Sequence, residues 1–291
     1  MTLTIWKTSQ GAAEVEARYR AILQHWPQPN RQVTVPTREG DTFVVSCGPE
    51  DAPPLVLLHG SASNAFMWMG DAALWSRHFR VHAVDIIGEP GLSAPSRPTL
   101  ASGAYPGWLD DVLAGLAIET TALVGLSLGG WLALDYATRR PERVRALVVL
   151  CPGGVGRHRN VLLWALPLLL LGPWGRRKVS AIIAGPKAPD APQMPAAVRD
   201  FLDLIYKNFR VRRERLPVIG DDALRRLAMP VLAILGGKDA MIDSAGTRRR
   251  LEQAVPHVQI RWLEEQGHFL RGQAAAILDF LQCRGLTRAK G

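Results

Sequence analysis

Five consecutive residues, Gly125-Leu126-Ser127-Leu128-Gly129, carry the strongest chemical signal in this chain. A serine hydroxyl attacks a carbonyl when a neighbouring base takes its proton and its oxygen stands clear of the backbone. A tight strand-to-helix turn gives that exposure. It also crowds the positions two residues either side, which then favour glycine. The flanks agree with such a turn. Thr121-Ala122-Leu123-Val124 reads as a buried strand, and Leu128–Thr138 reads as a helix. Ser127 is the candidate nucleophile, and the Leu128 N–H a candidate donor to an oxyanion. The plainer alternative is a helix N-terminus with an incidental serine.

Three further segments supply matching parts. Leu57-Leu58-His59-Gly60-Ser61-Ala62 places an HG pair directly after an apolar run, upstream of Ser127. The Ser61 N–H there would be the second oxyanion donor, acting mainly as charge develops. His59 is expected to shape the loop and not to act as base. Gly236-Gly237-Lys238-Asp239 follows the apolar run Val231–Leu235. A carboxylate at a strand end can orient a histidine and stabilise its cation. Asp243 competes for this role, but it suits the N-cap of the next helix. Gln266-Gly267-His268-Phe269 follows another apolar run, one helix and one strand after Asp239. His268 is the candidate base. His25, His78, His82 and His257 lie before or outside strand ends, and His158 falls in an irregular segment.

These residues need a scaffold that delivers several strand ends to one place. The chain supplies a repeating rhythm for it. A helix is expected within the first thirty residues, then a hairpin of Arg31–Thr37 and Thr42–Cys47. Short apolar runs follow at Leu55–Leu58, Val81–Ile87, Thr121–Leu126, Val144–Leu150, Pro230–Leu235 and Gln259–Leu263. Helical patterns separate them, at Phe66–Ser76, Trp108–Ala117, Leu128–Thr138, Asp243–Ala254 and Ala274–Cys283. Such alternation predicts an α/β fold with a mostly parallel central sheet flanked by helices.

The rhythm breaks over Pro152–Leu227, which is proline-rich and helical without a clear strand. It reads as a helical cap inserted before the strand that leads to Asp239. The expected organisation is core over 1–152, cap over 153–227 and core again over 228–291. Within the cap, Val161–Leu171 is the most apolar stretch, and Pro167 interrupts it. It is shorter than the roughly 20 residues that span a bilayer. Trp164, Leu168 and Leu169 are candidates to line an apolar substrate pocket, together with Phe66, Met67 and Trp68 beside the oxyanion loop. The flanking Arg157, Arg159, Arg176, Arg177 and Lys178 also allow weak contact with a membrane surface.

Composition narrows the function further. The chain has 291 residues, 47% hydrophobic and 21% charged, which excludes a disordered or collagen-like protein. Cys47, Cys151 and Cys283 are odd in number and lack a CxxC spacing, which argues against a disulfide scaffold and a zinc site. The N-terminus has no apolar leader segment, so the expected address is cytoplasmic. The net charge of +9 comes from small scattered clusters without a nucleic-acid-binding motif. No specific nucleic-acid partner is expected, only weak electrostatic attraction.

The order Ser127, Asp239, His268 resembles the α/β-hydrolase superfamily, and within it the serine esterases with a helical cap. The likeness runs from Gln32 to Leu281. Asp85-Ile86-Ile87-Gly88-Glu89-Pro90-Gly91-Leu92-Ser93 is similar to that family's D-x-x-G-x-G-x-S loop, with the second glycine displaced by one residue. After His268, many relatives have Glu-Pro where this chain has Arg271-Gly272-Gln273. The serine in the turn separates the chain from members with an aspartate nucleophile. The H-G-S-A-S loop separates it from H-G-G-P-G peptidases and H-G-x-G-P carbon–carbon hydrolases. The resemblance implies a carboxylesterase that needs no cofactor or metal and acts on a small or medium apolar ester. It leaves two alternatives open: an acyltransferase or perhydrolase on the same triad, and a receptor-like ligand-binding protein. Oligomeric state is not legible in the sequence.

Overall fold

The computed structural model describes residues 5–157, 159, 161–185 and 196–285. Its strands are β1 (Asn30–Val35), β2 (Thr42–Cys47), β3 (Pro54–Leu58), β4 (Arg80–Val84), β5 (Thr121–Leu126), β6 (Val144–Leu150), β7 (Val231–Gly236) and β8 (Gln259–Leu263). They form one sheet in the order β1-β2-β4-β3-β5-β6-β7-β8. β2 runs antiparallel to β1 and β4, and the other neighbouring pairs are parallel.

The helices are α1 (Ser9–Leu23), α2 (Met69–Trp75), α3 (Ala104–Gly115), α4 (Leu128–Arg139), α5 (Val161–Leu169), α6 (Gly172–Ala184), α7 (Ala196–Asn208), α8 (Asp221–Leu224), α9 (Ser244–Ala254) and α10 (Ala274–Cys283). Side chains alternate across a strand, so each central strand feeds two cores. Leu55 and Leu57 of β3 join one core with α1, α2, α7 and α10, which supply Tyr19, Trp75, Phe201 and Leu281. Val56 and Leu58 join the other with α3, α4, α8 and α9, which supply Trp108, Trp131, Leu224 and Leu251. Burial on both faces explains why these strands are uninterrupted apolar runs.

The segment between β6 and β7 carries α5 to α8. Its α7 does not stand apart from the rest. The Phe201 ring lies 6.1 Å from Tyr19 of α1 and 5.2 Å from Phe66.

The sequence pattern overran β4. Asp85, Ile86 and Ile87 are as apolar-flanked and buried as strand residues, yet the strand stops at Val84. Asp85 takes amide hydrogen bonds from Ala65 and Leu92, and the Ile86 N–H goes to the His59 ring. The Asp85 N–H still reaches Phe43 O of β2, and beyond it these bonds take the chain out of the sheet. The expected helix over Phe66–Ser76 is divided as well, with a 3-10 turn at Ala65–Trp68 before α2.

His82 on β4 is 6% exposed, and its Nδ1 bonds the Ser46 hydroxyl of β2 at 2.9 Å. Burial first, and Arg80 second, hold its pKa down to about 4. An unfolded histidine takes a proton near 6.5. The fold therefore has this contribution in full above about pH 6.5 and loses it as pH falls toward 4. His82→Gln is expected to lessen the stability lost between about pH 7 and 4.5 by roughly 2 kcal/mol, read from urea denaturation at each pH.

Candidate active site

The parallel strands converge at their carboxyl ends, and each end contributes one piece of the site. The β5–α4 turn is the tightest. Ser127 sits at φ 52°, ψ −106°, a left-handed strained conformation. Non-glycine residues hold such angles at a cost of roughly 1–3 kcal/mol, and they cluster at functional sites. Glycines make the turn possible. A Cβ on Gly125 would stand 2.3 Å from the Gly129 carbonyl oxygen, and one on Gly129 only 2.1 Å from that of Leu58. The Ser127 N–H is held by Leu150 O at 2.9 Å, which ties the turn to the end of β6.

Three residues meet here from distant parts of the chain. His268 Nε2 lies 2.9 Å from Ser127 Oγ, and His268 Nδ1 lies 2.8 Å from Asp239 Oδ2. A carboxylate only accepts, so Nδ1 carries the proton and Nε2 accepts the serine hydroxyl. Asp239 follows β7 and is 1% exposed. Burial works against its charge, but the hydrogen bond and charge of His268 and the amides of Met241 and Ile242 outweigh it. Its pKa is held below the usual aspartate value. Asp243 does not enter the site: its side chain caps α9 by accepting the Gly246 N–H.

Of the other two expected participants, Leu128 adjoins the serine and Ser61 lies in the loop after β3. Leu128 is the first residue of α4, and a first-turn amide has no partner within its helix. That N–H also lies at the positive end of the helix dipole. Ser61 follows β3 and is exposed. Besides a long bond from the Ser61 hydroxyl to Glu89 Oε2, the loop that carries it is held by the loop after β4 at four points. Ile86 N–H donates to His59 Nε2, Ala62 N–H to Glu89 Oε2, and Ala65 N–H to Asp85 Oδ1. The Asn64 side chain donates in turn to Pro90 O. His59 is fully buried and its pKa is pushed down to about 4 by burial, so it stays a neutral acceptor. Its Nδ1 meets Gly60 O at 2.8 Å, so both ring nitrogens are spent on the backbone of these two loops.

The residues put forward for a pocket are distributed more widely. Phe66 packs edge-on against Phe201, and Trp68 is 2% exposed beside Trp75 in the core. Met67 and Leu168 are half-buried, and Leu169 is exposed. The Trp164 side chain and His158 lie outside the described residues. Sequence reasoning passed over one neighbour. Cys151, at the end of β6, groups with Asp239 and His268, their ligand atoms all within 4.8 Å. This set does not suit a metal. Both His268 nitrogens are engaged, and burial together with Asp239 keeps the Cys151 thiol protonated.

The segment between β6 and β7 reaches the same place. The His268 N–H donates to Ile183 O of α6 at 3.0 Å. Arg159 N–H donates to Met241 O, and Asp243 N–H donates to Arg157 O.

A strained serine, a histidine within hydrogen-bond reach of it and a buried carboxylate at the ends of an eight-stranded sheet define the α/β-hydrolase class. The alpha/beta hydrolase family model matches residues 55–280, and the chain belongs to that family. It is 33% identical over 259 residues to carboxylesterase YbfK of Bacillus subtilis (strain 168), covering 87% of this chain and 86% of that protein. It is 32% identical over 260 residues to the uncharacterized carboxylesterase nap of the same organism, covering 87% and 85%. The solved naproxen esterase of Bacillus subtilis superposes with a TM-score of 0.81 at 29% identity, over 96% of this chain and 99% of the other.

Two glycine-to-alanine changes test the turn. Gly129→Ala drives a methyl into backbone and is expected to destabilise the protein by about 1–3 kcal/mol. Gly70→Ala in α2 meets nothing within 4 Å and is expected to leave stability unchanged or slightly higher. Paired urea unfolding curves give both values.

Proposed function

We propose that this protein is a carboxylesterase that works through an acyl-enzyme on Ser127. The hydrogen-bonded path from Ser127 through His268 to Asp239, 2.9 and 2.8 Å long, carries the reading. His268 takes the proton as Ser127 Oγ attacks the ester carbon. The Ser61 and Leu128 N–H groups stabilise the oxyanion, and Asp239 stabilises the imidazolium. His268 then protonates the departing alcohol. Water, activated by the same histidine, releases the acid and restores the serine.

A small or medium apolar ester is the proposed substrate. Phe269 supports it, being 44% exposed with its ring 6.0 Å from that of His268. Similarity to a naproxen esterase points the same way. The insertion over 153–227 is proposed to act as a cap, because its α6 holds the His268 backbone. The proposed address is cytoplasmic, supported by three free thiols, Cys47, Cys151 and Cys283.

One observation favours an added role for the insertion. Leu166, Leu170, Leu171 and Trp174 are each more than half exposed on α5, α6 and the turn between them. Lys178 lies over the Trp174 ring, and Arg177 is exposed beside it. Among the described residues, no helix is long and apolar enough to cross a membrane. An apolar ridge flanked by cations instead suits weak contact with an anionic lipid surface.

Ser127→Ala is expected to lower hydrolysis of a p-nitrophenyl ester ladder, acetate to palmitate, by roughly four orders of magnitude or more. Asp239→Asn should cost about 10⁴ in kcat through the wrong histidine tautomer. Equal activity in wild type and Ser127→Ala would end the reading. For the lipid contact, co-sedimentation with phosphatidylserine vesicles is expected at low salt and not with phosphatidylcholine alone. Absence of binding at low salt, or full binding by a Leu170→Asp, Leu171→Asp double variant, would refute it.

A further inference from the structure

The loop after β4 carries a buried carboxylate that the hydrolytic steps leave unused. Glu89 is 1% exposed. Its Oε2 accepts the Ala62 N–H at 2.6 Å and lies 3.4 Å from the Ser61 hydroxyl. Among the described residues its Oε1 has no hydrogen-bond partner, nor do Arg97 Nη2 and Arg212 Nε. Arg97 and Arg212 act on Glu89 through space, and no ion pair to it forms within the described residues. Arg97 is committed to Gly88 O. Arg212 is committed to Pro98 O, Glu214 and the Tyr105 hydroxyl.

Burying a carboxylate without a direct cationic partner is costly. What the carboxylate gains here is a charge-assisted bond to one amide, and that amide is in a telling place. Ala62 has φ +55°, a left-handed angle that an alanine does not adopt unaided. Released from Glu89, Ala62 would relax toward ordinary angles and turn the Ser61–Ala62 peptide, which shifts Ser61 and with it the Gly60–Ser61 peptide that carries the Ser61 N–H. The Ser61 N–H is the oxyanion donor in the reading above, on which this inference rests. The other three tethers of this loop bind His59, Asn64 and Ala65. Glu89 alone among the four reaches the residue next to the donor.

We propose that Glu89 is a positioning residue for the oxyanion hole. As a carboxylate it locks Ala62 and thereby the Ser61 donor, which makes oxyanion stabilisation depend on its ionisation. Burial pushes its pKa up to about 7, against the Ala62 amide, Arg97, Arg212 and the Ser61 hydroxyl, which all favour the charged form. Two phenols also feel its charge. Tyr105 is pushed up to about 12, chiefly by burial, and the half-exposed Tyr206 is also raised, so neither titrates with it. Protonation weakens the acceptor and adds an O–H without a partner. Activity therefore falls as pH drops through about 7.

The test compares wild type, Glu89→Gln and Glu89→Ala on p-nitrophenyl butyrate from about pH 5.5 to 8.5. Glu89→Gln keeps an acceptor of the same shape, so it separates charge from packing. At high pH it is expected to lose about tenfold in kcat, and Glu89→Ala about 10²-fold, because a donor of this kind acts in the transition state. KM should stay within about threefold in both. The acid limb of log kcat/KM below about pH 7 should be shallower in Glu89→Gln than in wild type.

The rate of p-nitrophenol release from a p-nitrophenyl ethylphosphonate reads the same donor without turnover, and its final stoichiometry counts folded sites. Phosphonylation should slow in parallel with kcat while that stoichiometry is unchanged. Wild-type kcat and acid limb in Glu89→Gln, or a loss carried by KM alone, would overturn the proposal while the esterase reading stands. A wild type that neither hydrolyses the ladder nor is labelled would overturn the esterase reading, and this inference with it. A wild type labelled at Ser127 but idle on esters leaves the phosphonylation rates of the two variants to decide.

Discussion

The β5–α4 turn closes because nothing stands between Gly129 and the carbonyl of Leu58. An atom at the Cβ position would lie 2.1 Å from that oxygen. This one close approach brings the start of α4 onto the end of β3. It puts Ser127, the α4 amides and the loop after β3 within reach of one another. It also commits Ser127 to a strained backbone. The strain persists because packing on both sides over-determines it: β5 is fully buried, and almost all of α4 is too.

Around that turn, polar groups do what packing cannot. His59, Asp85, Glu89 and Asn64 are all buried, and each spends a hydrogen bond on joining the loop after β3 to the loop after β4. Asp85 is pushed up to about 6 by burial, although two amides and the Tyr19 hydroxyl support its charge. Such groups lower stability compared with apolar residues of similar size, but they fix a loop in one conformation. The serine turn is thus set by steric contact, and the neighbouring loop by hydrogen bonds.

The segment between β6 and β7 belongs to this arrangement and does not merely cover it. Its α6 takes the His268 amide, and its α7 places Phe201 between Tyr19 and Phe66. This segment therefore touches the histidine loop at one end and the packing beneath the loop after β3 at the other.

Much of this was legible in the chain itself because the physics is local. Glycine spacing around Ser127 reflects a clash within a few residues, and two-sided burial leaves apolar runs that mark the strands. Hairpin and helix boundaries such as Thr42–Cys47 and Ala274–Cys283 follow from patterns only a few residues long. The choice between Asp239 and Asp243 rested on strand-end position, and the hydrogen bonds separate them: one meets His268, the other caps α9. Other features depend on residues far apart in sequence. The end of β4 is set by Asp85 and His59, contacts that no periodicity records. Glu89 stood in a recognisable loop, but its bond to Ala62, 27 residues away, exists only once β3 and β4 lie side by side. Most elements, their order and the residue types able to do chemistry follow from local sterics and burial. Which carboxylate meets which amide does not, because hydrogen bonds between distant loops have no local signature.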